Sequence, residues 1–248
     1  MTGSHATVIS IDVLSTLALR GVLVEIADEF RDRTGLAFAA TYKSTNMALS
    51  LITEGATADV AILTREAIDR LVRDGIIVDD STADLAQSGV GVAVRAGAPK
   101  PDVGTVAALR STLLEARSVA FTRLGASGIH FARVIERLGI ADEVRRKAHI
   151  GDGYVGEVVA RGEAEMAVQQ ISELMPVAGI DIVGPLPDEV QKISVFAAGI
   201  FRAVKNADGA EKLISHLAEP RLAPLLIRKG LEPVKRAPRA SDRHGETL

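Results

Sequence analysis

Residues 121–139 read FTRLGASGIHFARVIERLG, and the fold turns on how this stretch is parsed. An apolar run ends in Thr122 and Arg123, a small-residue turn follows, and an amphipathic helix begins where Ser127 stands. The unit is therefore strand, tight turn, helix. The first turn of any helix leaves backbone N–H groups without intrahelical partners. Those amides and the helix dipole attract anions. A hydroxyl and an arginine beside them would add donors of the same kind.

Outward from this stretch the same unit recurs. ATVISIDV (6–13) reads as a buried strand, and the following LALRGVLVEIADEFRDRTG puts Leu19, Val22, Leu23, Ile26 and Phe30 on one helical face that closes at Gly35. LAFAATY (36–42) is a second strand before a helix at 45–54, and ADVAIL (58–63) is a third before a helix that Thr64 can cap. This βαβαβ rhythm predicts α/β architecture, a mainly parallel sheet with helices on both faces. GVGVAVR (89–95) alternates strictly, as a crossover strand does, and AGAPKPDVG breaks the pattern before it restarts. Helices at 105–116, 127–138 and 154–161 with strands at 118–122 and 166–171 form a second lobe, and ISVFAAGIF (193–201) leads back to helices at 208–217 and 221–229. The expectation is two lobes, residues 6–88 with 196–234 and residues 89–195, with the chain crossing between them twice. The polar tail 235–248 reads as disordered.

Composition excludes several classes. Of 248 residues, 47% are hydrophobic and 25% charged, enough for a substantial core, and the net charge of −3 offers no basic field to nucleic acid. Aromatic residues make up 3% with no Trp, which argues against a base-stacking surface. With no Cys, disulfides, thiolate catalysis and cysteine-bound metals are absent. No run of 18 apolar residues suggests membrane insertion. The opening MTGSHATVISIDV lacks a secretory leader, so the chain as written is expected in the cytoplasm, or in the periplasm if GSH marks a cloned start and a native leader was removed. A monomer is expected.

In open α/β sheets ligands bind beyond the carboxyl ends of the strands. The residues there are Ser15 and Thr16, Ser44 and Thr45, Arg123 and Ser127, and Gln169 and Gln170. Each hydroxyl has a plain reading as a helix cap, worth about 1 kcal/mol. The functional reading is that several mouths converge on one small anionic ligand. Arg123 can grip a planar anion with two parallel hydrogen bonds, or pair with a surface acid. Two glutamines within a strand pattern need partners if buried. His130, in the first turns after Ser127, and His149, in the Gly-rich AHIGDGYVGE, are the candidate general bases if the chain is an enzyme; otherwise they are surface residues. No spacing suggests a metal, no cofactor is implied, and neither a Walker loop, a G-x-G-x-x-G after the first strand nor a G-x-S-x-G elbow is present.

The segments LVEIADEFRDRTG, YKSTNMALSLITEGATADVAIL, GASGIHFARVIERLGI, VVARGEAEMAVQQISEL and LLIRKGLEP together resemble the molybdate-binding family of solute-binding proteins, across residues 7–234. The resemblance implies a type II periplasmic-binding fold, two α/β lobes joined by crossover strands that close on an anion. It also implies ligand contacts from Ser15, Ser44, Thr45 and Ser127, and an ABC transporter or a regulatory partner. The first loop, DVLST, departs from the small-residue pattern of that family. Where molybdate binders show a tyrosine this chain has QQIS, which together with Arg123 resembles a subgroup that includes an aconitate isomerase and implies a di- or tricarboxylate. Binding of a small anion is the favoured reading, and isomerisation of an unsaturated tricarboxylate in the same cleft is the alternative.

Overall fold

The computed structural model describes residues 10–234. The tail reading for 235–248 and the first four residues of the first expected strand lie outside the described residues. One sheet has the order β11-β4-β10-β3-β1-β2, from β1 (Ser10–Thr16), β2 (Ala37–Lys43), β3 (Val60–Thr64), β4 (Ala83–Ser88), β10 (Ser194–Ile200) and β11 (Glu232–Pro233). The other has the order β7-β6-β8-β5-β9, from β5 (Val90–Arg95), β6 (Val119–Thr122), β7 (Ala148–Gly151), β8 (Met166–Gln170) and β9 (Ile180–Pro185). In each sheet three neighbouring strands pair parallel, β3-β1-β2 and β7-β6-β8, and every other pair is antiparallel. The chain leaves the first sheet at Ser88, enters the second at Val90, and returns through residues 186–193.

Ten α-helices lie among the described residues: α1 (Arg20–Thr34), α2 (Thr45–Thr53), α3 (Arg65–Arg73), α4 (Val106–Glu115), α5 (Ala126–Arg137), α6 (Ala141–Arg146), α7 (Gly156–Ala160), α8 (Ile171–Leu174), α9 (Ala207–Leu217) and α10 (Ala223–Arg228). The face predicted for α1 is the one it buries, with Leu19, Val22, Leu23, Ile26 and Phe30 all inside the first core. Gly35 ends it with a φ of 71°, a conformation that favours a residue without a Cβ. Phe121 and Phe131 meet edge to face at 5.2 Å in the second core.

Several expectations shift. β1 runs on to Thr16, because its last rungs pair with Tyr42 and Lys43 of β2, so Ser15 and Thr16 end the strand and do not follow it. α5 starts at Ala126 with Gly125 as its cap residue, so Ser127 is its second residue and caps nothing. β4 was not read as a strand, since ADLAQS has weak strand propensity; β10 and β11 hold it from both sides. The short elements β7, α6 and α8 also carry too few residues to show a period.

The register fixes a common edge. Thr16 lies opposite Lys43 and Ser15 opposite Ile62, so β1, β2 and β3 end side by side. In the other lobe Thr122 lies opposite Gly151 and Phe121 opposite Val168. The turn after β6 is tight: a Cβ built on Gly128 would stand 1.8 Å from the Thr122 carbonyl oxygen. No side chain fits there without pushing α5 off the sheet. Gly128→Ala should cost about 3 kcal/mol, a fall in melting temperature of roughly 6–12 °C for a chain of this size. Gly151→Ala, where an added Cβ meets nothing within 4 Å, serves as the control and should leave the melting temperature nearly unchanged.

Candidate functional site

The helical segments that follow β1, β2, β6 and β8 start beside the opposite lobe. Thr16 precedes a short 3-10 turn, Leu17–Leu19, that runs into α1. Ser44 caps α2, its hydroxyl accepting from the Met47 amide at 3.4 Å, and buried Thr45 is the first helical residue. Two hydrogen bonds cross the interlobe gap. The Asn46 side-chain amide, in the first turn of α2, donates to the Leu124 carbonyl just before α5 at 3.1 Å. The Tyr154 hydroxyl donates to the Leu17 carbonyl at 3.4 Å. The start of α2, the start of α5 and the exit of β1 therefore meet. Ser15, Thr16, Thr45 and Ser127 are all buried where they do.

The Ser15 hydroxyl donates to the Thr16 carbonyl at 3.0 Å. Arg123 is exposed; its amide bonds the Gly151 carbonyl at 3.0 Å. Its guanidinium enters none of the ion pairs among the described residues. Gln169 is 0% exposed and braces one loop, accepting from the Val155 amide at 2.9 Å and donating to the Gly153 carbonyl at 2.8 Å. Gln170 donates to the Ser88 carbonyl at 2.6 Å and so ties β8 to the crossing strand. Its Oε1, with Thr122 Oγ1 and Ser172 Oγ, is buried without a hydrogen-bond partner. All three stand at or just past the ends of β6 and β8.

The two histidines sit elsewhere. His130 Nε2 meets the Val190 carbonyl at 2.7 Å, so its ring is engaged with the returning crossing segment. His149 is exposed on the edge strand β7. There Arg161, and less strongly His149, holds the Glu163 carboxyl below its usual range. Neither is joined to the hydroxyl cluster by a hydrogen bond.

Two features escaped the sequence reading. Arg20 opens α1 with its guanidinium carbon 5.7 Å from the ring centres of both Tyr42 and Tyr154. Burial pushes both phenols above their ordinary value, and the positive charge of Arg20 pulls them back. Glu173, in α8 and only 9% exposed, is the second. Burial drives its carboxyl up to about 7, against a hydrogen bond from Gln169 that favours the charged form. The helix α8 packs against the 3-10 turn of the other lobe, and Glu173 lies close enough to Tyr154 to raise its phenol further. Nothing in ISEL marks this glutamate as buried. A short helix wedged between lobes is a tertiary outcome without a periodic signature.

Among the described residues no cluster of His, Asp or Glu could hold a metal ion, and no helix is long and apolar enough to cross a membrane. A solvent-open groove of about 740 Å³ lies at the other end of the second lobe, lined by Arg95, Lys100, Arg117 and Glu165 among others. The parallel strands β6 and β8 begin at that end, so the helices that follow them start at the cleft instead, and the cleft is the better candidate on chemistry.

Two lobes joined by two crossings, with helix mouths and hydroxyls facing one gap, define the two-lobed binding-protein class. Residues 11–232 match the family described as bacterial extracellular solute-binding protein, and the chain belongs to that family. An aconitate isomerase from Pseudomonas sp. is 36% identical over 238 residues, which cover 93% of this chain and 90% of that protein. Among solved structures, the periplasmic molybdate-binding protein of Azotobacter vinelandii superposes with a TM-score of 0.77 at 18% identity, covering 91% of this chain and 100% of that one. The sulfate-binding protein SubI of Mycobacterium tuberculosis gives 0.70 at 16% identity, covering 92% of this chain and 88% of that one. These likenesses show the type II periplasmic-binding fold.

Glu173 makes stability depend on pH with a defined sign. Its folded value lies above its ordinary one, so the folded state holds the proton more tightly between pH 4.5 and about 7. Its contribution is present at low pH and is lost as pH rises through that window. Glu173→Gln removes the dependence. The stability of the variant relative to the parent, followed by denaturant melts, should rise by up to about 3 kcal/mol between pH 5 and pH 8.

Proposed function

We propose that this protein binds a small anion, an oxyanion or a di- or tricarboxylate, in the gap between its lobes and closes on it. The observation that carries this reading is the pair of interlobe hydrogen bonds, Asn46 to Leu124 and Tyr154 to Leu17, which brings the starts of α2 and α5 to the exit of β1. Free amides, Ser15, Thr16, Ser44, Thr45 and Ser127, with Arg123 at the rim, supply donors from both sides. Micromolar affinity needs about 8 kcal/mol. Five or six charge-assisted hydrogen bonds of roughly 1.5–3 kcal/mol each reach it after ordering costs. Residues 10–88 with 194–234, and 90–185, act as the moving units, hinged at Gly89 and at 186–193. The family of the chain supports a further protein partner, an ABC transporter or a regulatory protein.

A thermal-shift panel of molybdate, tungstate, sulfate, phosphate, citrate and both aconitates tests this. Saturating ligand at a hundredfold its Kd adds about 2.7 kcal/mol, or roughly 5–10 °C here. Two serines then separate capping from binding. Ser127→Ala should weaken the ligand about tenfold with no loss of stability, since Gly125 and not Ser127 holds the cap position. Ser44→Ala should weaken the ligand and also cost about 1 kcal/mol of stability. Silence across the panel would defeat the proposal.

Glu173 and the 36% identical aconitate isomerase support a second reading, an isomerase of an unsaturated tricarboxylate. A buried carboxyl titrating near neutrality, flanked by Gln169 and Tyr154, suits a group that takes a proton from the methylene carbon of the bound acid and returns it to the far end of the shifted double bond. The double bond moves, one C–H bond breaks and another forms, and no redox partner is needed. Parent, Glu173→Gln, His130→Gln and His149→Gln are compared for interconversion of cis- and trans-aconitate. Loss of turnover by at least a hundredfold in the glutamate variant alone is expected. Turnover that survives in it and fails in a histidine variant would return the role to that histidine.

A further inference from the structure

Arg20 is a cleft cation that the proposed anion site leaves without a task. It comes from the first lobe, at the start of α1, and its guanidinium lies 5.7 Å from both the Tyr42 ring of its own lobe and the Tyr154 ring of the other. No ion pair among the described residues includes it. The nearest acid on its own helix, Glu25, is already taken by Arg228 at 3.1 Å and Lys229 at 2.6 Å. The aromatic slot is itself firmly built. Tyr154 is fixed by its bond to the Leu17 carbonyl and by the Gln169 brace on both sides of it, at Gly153 and Val155. At the other end of the same loop, Gly151 receives the Arg123 amide. The Arg20 guanidinium from one lobe and the Arg123 backbone from the other thus border the segment 151–154.

A tetrahedral oxyanion is satisfied by amides and hydroxyls at helix starts and has no need of two planar forks. Carboxylates are planar, and a guanidinium matches them with two parallel hydrogen bonds. Two ring faces beside the cations also offer flat apolar walls to a carbon skeleton. The buried, unpartnered Thr122 Oγ1, Gln170 Oε1 and Ser172 Oγ show polar capacity left over at the strand ends of the same cleft.

We propose that Arg20, held between Tyr42 and Tyr154, is a ligand-binding residue that anchors a second carboxylate, so that the ligand class is a polycarboxylate with at least two carboxyl groups spanning the lobes. This rests on the anion-binding reading above and narrows it. Arg123 with the starts of α2 and α5 holds the first carboxylate; Arg20 holds the other across the 151–154 loop. The tyrosines keep the guanidinium face fixed before the ligand arrives.

Isothermal titration of the parent, Arg20→Gln and Arg20→Lys with citrate, trans-aconitate, sulfate and molybdate decides the matter, with thermal melts confirming that each variant is folded. The parent should bind the tricarboxylates. Arg20→Gln should weaken them about 10- to 100-fold while leaving any tetrahedral anion within about twofold, and Arg20→Lys should recover only part of the loss. An equal loss for every anion would make Arg20 a latch between lobes and overturn the assignment, as would unchanged tricarboxylate affinity in Arg20→Gln. A parent that binds only sulfate or molybdate would overturn the polycarboxylate class and leave the anion-binding reading standing. A parent that binds none of the four would take both down.

Discussion

Backbone amides at the start of a helix must find acceptors, and that constraint organises this protein. An α-helix leaves its first N–H groups unsatisfied, and parallel strands in one sheet send all their following helices off the same edge. β1, β2 and β3 do this in one lobe, β6 and β8 in the other. Placing the two edges face to face gathers many orphan donors into one small volume. Water satisfies them when the lobes part. A multiply charged ligand can satisfy them when the lobes meet, and the reach of Asn46 to the Leu124 carbonyl and of Tyr154 to the Leu17 carbonyl sets the distance between the walls.

The crossing segments are where the proposed closure would hinge. Ser88 ends β4 of one lobe and Val90 begins β5 of the other, with Gly89 alone between them. Leu186 and Val190 bury the returning segment in the second core, and polar side chains tie the crossings. The Ser88 hydroxyl donates to the Gly230 carbonyl at 2.8 Å, and Gln191 accepts from the Val90 amide at 2.8 Å and donates to its carbonyl at 2.9 Å. Gln170 and His130 add ties to Ser88 and Val190. Such bonds fix the register of the crossings, the segments proposed above as hinges. His130 and Gln170, both candidates in the sequence, each carry one backbone attachment at the crossings.

Most of the architecture was legible because it is periodic. Leu19 through Phe30 spell out one face of α1, and VAIL and VAFT are apolar runs too short for helices. The glycines of GASG made sense as a turn, and the structure adds that Gly128 is required by the approach of α5 to the Thr122 carbonyl. The hydroxyls at strand ends were legible for the same reason, since the edge where they gather follows from parallel pairing. What escaped was set by tertiary contact alone. ADLAQS becomes a strand because β10 and β11 flank it. Arg20 and Glu173 look like ordinary helix-surface charges until the lobes close, which places one between two tyrosines and buries the other beside Gln169.

The central claim is that helix starts from both lobes share one anion. Placing a fixed carboxylate at their meeting point, with Ser127→Asp, tests it most directly, because the variant supplies its own anion to the same donors. Calorimetric titration of citrate and trans-aconitate into parent and variant should give one saturable site in the parent and none in a variant that melts no lower than the parent. A variant that binds either acid as tightly as the parent would contradict the account, because the anion would then sit somewhere other than at the start of α5.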